Sequence, residues 1–410
     1  MPESKEKYGL KIVILCAYFQ PELGYREYYY ARNLAKLGHD VIVITSDRII
    51  PIPGWENIAK AAGYDTSRYR GVGISKLDGF TLHRLPVLFE YDKLIILRGV
   101  SALLSSIKPD IVHIIENGFV YSIPVMLHKQ SIGYKVIYEI EISLAPTHLL
   151  RKKEYAEYYL AKKPLLKYMI SRSDRLNICT DQVQDFLNKQ ITESRGKIHR
   201  MPLGADPDLF YVDSQERVEV RGMLNISEDD ILTLTSGKIE PQKHYDVLIK
   251  SINTIKKDYP KVKLLIVGSG AADAMAELKK IAKTEGILDS VIFHQFVKRT
   301  ELRKFYNAAD VGIWTQATIT ALEAIACGLP IIVPKDDATC HLVEESNGES
   351  YEYCDCLQLA DCLRHYMSLE NRMEARKQAI IIFKNKYSYL TLAKQLVDDI
   401  YLPVLQEKLS

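Results

Sequence analysis

Two lysines five residues apart, Lys238 and Lys243, lie in the run Ser236-Gly237-Lys238-Ile239-Glu240-Pro241-Gln242-Lys243, directly after an apolar run at 231–235. A loop that leaves a strand and enters a helix already favours anions, because the first N–H groups of a helix lack intrahelical partners and its dipole is positive there. Two ammonium groups added at that point would clamp a diphosphate; a pair of solvated loop lysines is the plain alternative. A second stretch, Leu264-Leu265-Ile266-Val267-Gly268-Ser269-Gly270, ends a strand in two glycines, so backbone can come close to a ligand or to a neighbouring turn. It lacks the last glycine of G-x-G-x-x-G, since Ala272 and Asp273 follow. A third, 314–330, reads as a strand end, a polar turn and a helix stopped by Gly328 and Pro330. Glu323 is expected in the first turn of that helix. It is either the acid of a Thr320-x-x-Glu323 capping box or a carboxylate accepting hydrogen bonds from the sugar hydroxyls of a nucleotide.

Parallel sheets are needed to position these groups. Short β-branched runs at 11–16, 41–45, 111–115, 135–138, 231–235, 263–267, 291–293, 311–314 and 331–333 alternate with amphipathic stretches such as 27–37, 246–257 and 272–283. Strands apolar on both faces and separated by helices imply parallel sheets covered on both sides. The rhythm starts twice, at 11 and again at 231, and the polar stretch 204–230 is expected to be a hinge and linker. The fold class is therefore α/β, with two Rossmann-like doubly wound domains facing each other across a cleft. The boundaries are expected at 1–205 and 206–387. Residues 388–410 are expected to form a C-terminal helix, interrupted by Pro403, that packs back on the first domain. Open sheets of this kind bind ligands at the carboxyl ends of their strands.

The order and spacing of the three stretches resemble family 4 of the retaining GT-B glycosyltransferases (glycosyl transferases group 1), over nearly the whole chain. That family shows Gly-Arg-x-x-x-x-Lys after the first strand of its second domain, matched here by Gly237, Lys238 and Lys243 with lysine replacing arginine. Its glycine turn is matched by Gly268-Ser269-Gly270. The second glutamate of its Glu-x7-Glu motif is matched by Glu323, and its Ala-Cys-Gly-x-Pro signature by Ala326-Cys327-Gly328-Leu329-Pro330. The first glutamate of the motif, which faces the donor sugar in the family, is Thr315 here. The resemblance implies transfer of a sugar from a nucleoside diphosphate sugar to a glycan, lipid-linked sugar or small molecule, with retained anomeric configuration. It makes 206–387 the donor domain and 1–205 the acceptor-side domain. It also implies Lys238, Lys243 and Glu323 at the reaction end of the donor, Glu323 on the ribose, and Gly24, Gly237, Gly268, Gly270, Thr315, Ala317, Thr318, Ile319 and Thr320 around it. No Asp-x-Asp motif is evident at a strand end. The two lysines and helix N-termini are expected to stabilise the leaving diphosphate without a metal, and the nucleotide sugar is a co-substrate rather than a cofactor.

Gly24, after the first strand, matches a glycine-rich loop of the family, with Tyr25 and Arg26 in place of smaller residues. Together with His113, Glu116 and Glu139, at or near strand ends, these two are the acceptor-side candidates. Some relatives have a second histidine two positions after the first, but that position is Ile115 here, and His113 has a packed strand residue as its plain reading. His39, in a Gly-His-x-Val turn, reads as structural. Residues 151–175 interleave lysine and arginine with tyrosine, which suits either an anionic membrane surface or an ordinary surface helix whose long cations cover apolar neighbours.

A net charge of +2 over 410 residues argues against a surface built for nucleic acid. Seven irregularly spaced cysteines suit reduced thiols and no zinc site. The polar N-terminus is unlike a signal peptide, and no run of about 18 apolar residues exists to span a bilayer. A cytoplasmic location, extending to the inner face of the cell membrane, is the expectation. Two other classes stay open: an oxidoreductase on a nucleotide-binding sheet, against which the missing glycine fingerprint counts, and a non-catalytic glycosyltransferase-like partner or scaffold protein, motivated by Thr315 and Ile115.

Overall fold

The computed structural model describes residues 9–407 apart from 53, 92–93, 117–119, 141–161, 317, 336–339 and 345. Two compact units divide the chain: Met1–Pro202 with Leu392–Ser410, and Leu203–Thr391.

The first unit carries β1 (Lys11–Cys16), β2 (Asp40–Ser46), β3 (Gly73–Leu77), β4 (Phe80–Leu85), β5 (Val87–Tyr91), β6 (Leu94–Leu97), β7 (Ile111–Glu116), β8 (Lys135–Ile140), β9 (Arg175–Ile178) and β10 (Ile198–Arg200). Eight of them form one sheet in the order β10-β9-β8-β7-β1-β2-β4-β3, parallel except for β3, while β5 and β6 make a separate antiparallel hairpin. β7 is buried along its whole length, and β1 from Ile12 onward, as strands covered on both faces must be.

The second unit carries β11 (Ile231–Ser236), β12 (Val262–Val267), β13 (Val291–His294), β14 (Val311–Ile313), β15 (Ile331–Pro334) and β16 (Gly348–Tyr351), all parallel in the order β13-β12-β11-β14-β15-β16. The chain runs outward from β11 to β12 and β13, then returns to β14 on the other side of β11. The point where strand order reverses therefore lies between β11 and β14, and their carboxyl ends are where a doubly wound sheet takes a ligand.

Three expectations need correction. The units part after Pro202 and after Thr391, because Ala205 pairs through its N–H with the Tyr387 carbonyl and through its carbonyl with the Tyr389 N–H, tying both crossings into the second unit. Residues 204–230 are not a linker. Asp213 caps a helix, Ser214–Met223, whose Arg221 is buried and bonded to Asp310 and to the carbonyls of Ala308 and Asp230. Phe210 is fully buried in the same core. Pro403 does not interrupt the last helix. Helical turns run from Tyr389 to Gln406, with a π-helical stretch, Leu396–Tyr401, just ahead of the proline. A widened turn there accommodates the missing N–H and the ring.

Candidate functional site

In the second unit three turns leave the carboxyl ends of adjacent strands. After β11 the chain passes Gly237 and Lys238, makes a 3-10 turn at Pro241–Lys243 and enters the helix Tyr245–Lys256. After β12, Gly268 and Gly270 precede the helix Ala272–Thr284. After β14, Thr315 and Gln316 precede the helix Ile319–Ala326.

The glycine turn packs on the lysine turn. The Gly237 N–H donates to the Val267 carbonyl and the Ile239 N–H to the Ser269 carbonyl, with Ile239 and Gly270 forming a parallel bridge. A Cβ on Gly268 would overlap the Gly237 carbonyl, and one on Gly270 the Ile239 carbonyl. Close approach of two protein segments thus accounts for both glycines.

The lysines differ. Lys238 is exposed and ion-paired with Glu240, as a solvated loop lysine is. Lys243 is half-buried, with its ammonium 3.0 Å from the point where a Cβ on Gly237 would sit. Burial pushes its pKa down; Glu240 pulls it back up and Lys238 adds to the lowering.

Thr315 is 4% exposed, and its hydroxyl donates to the Lys243 carbonyl at 2.5 Å, while the Gln316 amide donates to the Gln242 carbonyl at 2.6 Å. The segments that follow β11 and β14 are therefore stitched together at the switch point. Thr318, not Thr320, caps the helix Ile319–Ala326, and its hydroxyl accepts from the Thr320 N–H. The Thr320 hydroxyl accepts from the Trp314 indole at 2.9 Å and lies 3.4 Å from the Ser236 carbonyl at the end of β11. Ile319 is the first helical residue, and Ala317 lies outside the described residues.

Glu323 is not in the first turn and forms no capping box. It sits in the second turn, 1% exposed, with Oε1 accepting from Arg299 Nε at 2.9 Å and from Nη2. Its other oxygen, Oε2, is buried and has no hydrogen-bond partner among the described residues. Burial pushes the Glu323 pKa up, and Arg299 pulls it down. Sequence reasoning missed Arg299, which opens the helix Arg299–Ala308 and lies over the Phe210 ring at 5.6 Å, because nothing in the spacing couples 299 to 323. It also missed Tyr306, whose hydroxyl lies 3.0 Å from that of Ser236 and feels the Glu323 charge. Among the described residues, no group of three or more His, Cys, Asp or Glu side chains is placed to hold a metal ion.

The acceptor-side candidates of the first unit are brought together in a different way from the one expected. Gly24 closes a 3-10 turn, Pro21–Leu23, and Tyr25 stands exposed before the helix Arg26–Lys36. Arg26, His113 and Glu139 face inward and are buried. Arg26 donates to Glu139 Oε1 and to Cys179, His113 Nε2 meets Glu139 Oε2 at 2.9 Å, and Asn177 donates to the same oxygen at 2.9 Å. His113 Nδ1 lies 2.7 Å from the Tyr401 hydroxyl, so the network ties the C-terminal helix to β7 and β8. His113, Glu139 and Asn177 stand on strands covered on both faces, and Arg26 reaches them from a helix; such buried polar groups are retained only in mutual pairs. Burial pushes the Glu139 pKa up, but Arg26, His113 and Asn177 outweigh it, and the net shift is downward. Glu116 is also buried and accepts from the Tyr138 hydroxyl. His39 accepts from the Leu10 N–H at 3.1 Å, a structural role. Of the stretch 151–175, residues 151–161 lie outside the described residues; the helix Lys163–Arg172 follows them. No helix among the described residues is long and apolar enough to cross a membrane.

Residues 216–381 match the family model described as Glycosyl transferases group 1. The chain is 28% identical over 215 residues to a D-inositol 3-phosphate glycosyltransferase of Xylanimonas cellulosilytica, covering 50% of this chain and 51% of that one. It is 23% identical over 315 residues to an alpha-monoglucosyldiacylglycerol synthase of Streptococcus pneumoniae, covering 73% and 65%. The chain thus spans about half to two thirds of the length of these curated relatives. The structure of Anabaena Alr3699/HepE in complex with UDP and glucose superposes with a TM-score of 0.63 at 14% identity, over 95% of this chain and 99% of that one. That likeness gives the fold, two Rossmann-like units in GT-B order. The matched residues 216–381, which contain the lysine turn, the glycine turn and Glu323, are thus similar to glycosyl transferases group 1.

Proposed function

We propose that the chain is a glycosyltransferase that takes its sugar from a nucleoside diphosphate, releases the diphosphate without a metal ion and retains the anomeric configuration. The observation that carries this reading is the stitched pair of turns at the β11/β14 switch point. Thr315 and Gln316 hold the Lys243 turn, which sets a half-buried ammonium beside Gly237. As the bond at the anomeric carbon breaks, negative charge grows on the leaving phosphate, and a pre-positioned, partly desolvated cation stabilises it more than a solvated one does. Lys238, on its exposed arm, is a second and weaker cation. Glu323 is the ribose ligand of this reading, with Oε2 left to accept a hydroxyl while Arg299 holds Oε1. The UDP and glucose of the Anabaena protein support a uridine nucleotide as the first donor to try.

The test is a panel of UDP-, GDP- and ADP-sugars added in the presence of a chelator, read by thermal stabilisation and by release of free nucleoside diphosphate. A ligand at 100 times its dissociation constant adds about 2.7 kcal/mol of stability. Binding and slow donor hydrolysis under chelation are expected, with loss of both in Lys243→Met. If the folded chain is stabilised by no member of the panel, the reading fails in favour of a non-catalytic partner, the role that Thr315 in place of glutamate would suit.

A further inference from the structure

The hairpin β5–β6 is apolar on its outward face as well as its inward one. Its register pairs Phe89 with Ile96 and Tyr91 with Leu94, so these four side chains share one face, while Glu90 and Ile95 share the other. The face turned away from the unit is the apolar one: Phe89, Tyr91, Leu94 and Ile96 are 51%, 70%, 39% and 43% exposed. The face turned inward holds the carboxylate. Glu90 accepts from the Tyr18 hydroxyl at 2.8 Å, from Arg48 at 3.0 Å and from Arg68 at 2.6 Å, beside the buried Ile95 and Leu97. An antiparallel ribbon with one face in water normally keeps that face polar. The register is fixed from within by the bonds to Glu90, so the outward apolar face is a firmly held feature of the hairpin.

We infer that this face seats the first unit on a lipid bilayer, entering the boundary between headgroups and acyl chains. Area argues for a bilayer over a second copy or another protein. A two-stranded ribbon four residues long presents a face of roughly 10 by 15 Å, well short of the about 800 Å² per partner that a stable protein interface buries. A bilayer sets no such minimum, since a few aromatic and aliphatic side chains at the interface add binding in proportion to their own buried area. The composition fits: two aromatic rings, one with a hydroxyl suited to the headgroup level, two branched aliphatics, and exposed Arg98 at the base of the ribbon, where an anionic headgroup would meet it.

The test uses the full chain and vesicles of phosphatidylcholine with and without phosphatidylglycerol, read by flotation. The parent should float with the vesicles, and more fully with the anionic ones. Phe89→Ser/Tyr91→Ser/Ile96→Ser should cut the bound fraction at least tenfold with the unfolding temperature little changed. As a second readout that needs no loss of fold, the indole introduced by Tyr91→Trp should shift its emission to the blue on vesicle addition and be quenched by brominated lipid; the native tryptophans, Trp55 and Trp314, are buried. The inference is overturned if the parent does not float, if the triple variant floats as well as the parent, or if vesicles leave the emission of the Tyr91→Trp variant unmoved. It is equally overturned if the parent self-associates through this face, so that the triple change converts a dimer to a monomer.

Discussion

The Thr315 hydroxyl donates a 2.5 Å hydrogen bond to the main-chain carbonyl of Lys243, across two turns that are 72 residues apart in sequence. A threonine at this position therefore holds in place the turn that carries the half-buried cation. Thr315→Val keeps the shape and removes the donor, stranding a carbonyl at a cost of about 1–3 kcal/mol, and donor affinity should fall with it. Thr315→Glu, which would restore the relatives' Glu-x7-Glu pattern, is expected to do worse, because a carboxylate would be forced into a 4% exposed site against a carbonyl oxygen. Urea unfolding and nucleotide-dependent thermal shifts of both variants check this. A glutamate variant that is fully stable and binds donor better would show that the position is an open ligand site.

The two lysines should separate in mutagenesis. Lys243→Met should weaken nucleoside diphosphate binding by about 1.5–3 kcal/mol, roughly tenfold to a hundredfold. Lys238→Met, removing an exposed cation already paired with Glu240, should cost under about 1 kcal/mol. The pH dependence follows from the same difference. An anion is held by the protonated ammonium, and burial lowers the pKa of Lys243, so that its charge is lost at a lower pH than that of an ordinary lysine. Donor affinity should therefore fall on the alkaline side, and in Lys243→Met that fall should be absent. Titration calorimetry between neutral and alkaline pH reads both.

Much of this was legible in the sequence, because strands buried on both faces leave continuous apolar runs. β1, β7, β11 and β15 lie where those runs lie. The hairpin β5–β6 was missed because its apolar residues stand on both faces, and neither alternation nor a bounded run marks it. Lys243 and Glu323 could be found by motif. Their partners could not, since Thr315 to Lys243 and Arg299 to Glu323 are contacts set by which turns the sheet order brings together. Arg26, His113 and Glu139 were all singled out, yet their inward direction depends on Asn177 and Tyr401, residues that chain spacing does not link to them.

Arg299 and Glu323 give a prediction with a definite sign. Arg299→Met leaves a 1% exposed carboxylate without its cation, and breaking a buried pair from one side costs about 3–5 kcal/mol. The folded-state pKa of Glu323 is already raised by burial, and losing Arg299 raises it further. A carboxyl whose folded pKa lies above its unfolded one gains stability on protonation, so the deficit of the variant should shrink as pH falls and grow as pH rises. Urea unfolding of parent and variant at pH 5 and pH 8 measures it. A deficit independent of pH would mean that Arg299 acts through its packing on Phe210.

The buried network of the first unit should show the opposite sign. The folded pKa of Glu139 is lowered from its ordinary 4.5, so its contribution is fully present above that value and is lost as pH falls through the lower folded one. Glu139→Gln leaves Arg26 buried without its carboxylate and should cost about 3–5 kcal/mol near neutrality. Because the variant has no carboxylate to protonate, the gap between parent and variant should narrow in acid. Tyr401→Phe removes only the hydroxyl that meets His113, which should cost about 1–3 kcal/mol and leave the acid loss of stability carried by Glu139 in place. The two variants also differ in what they release. Tyr401 stands on the C-terminal helix, so its loss should speed protease cleavage after residue 391 relative to cleavage elsewhere, whereas Glu139→Gln should loosen β7, β8 and β9 together. Limited proteolysis followed by mass analysis distinguishes them. Unchanged cleavage after residue 391 in Tyr401→Phe would mean that the C-terminal helix is held by its apolar side chains alone, with the His113–Tyr401 contact adding nothing.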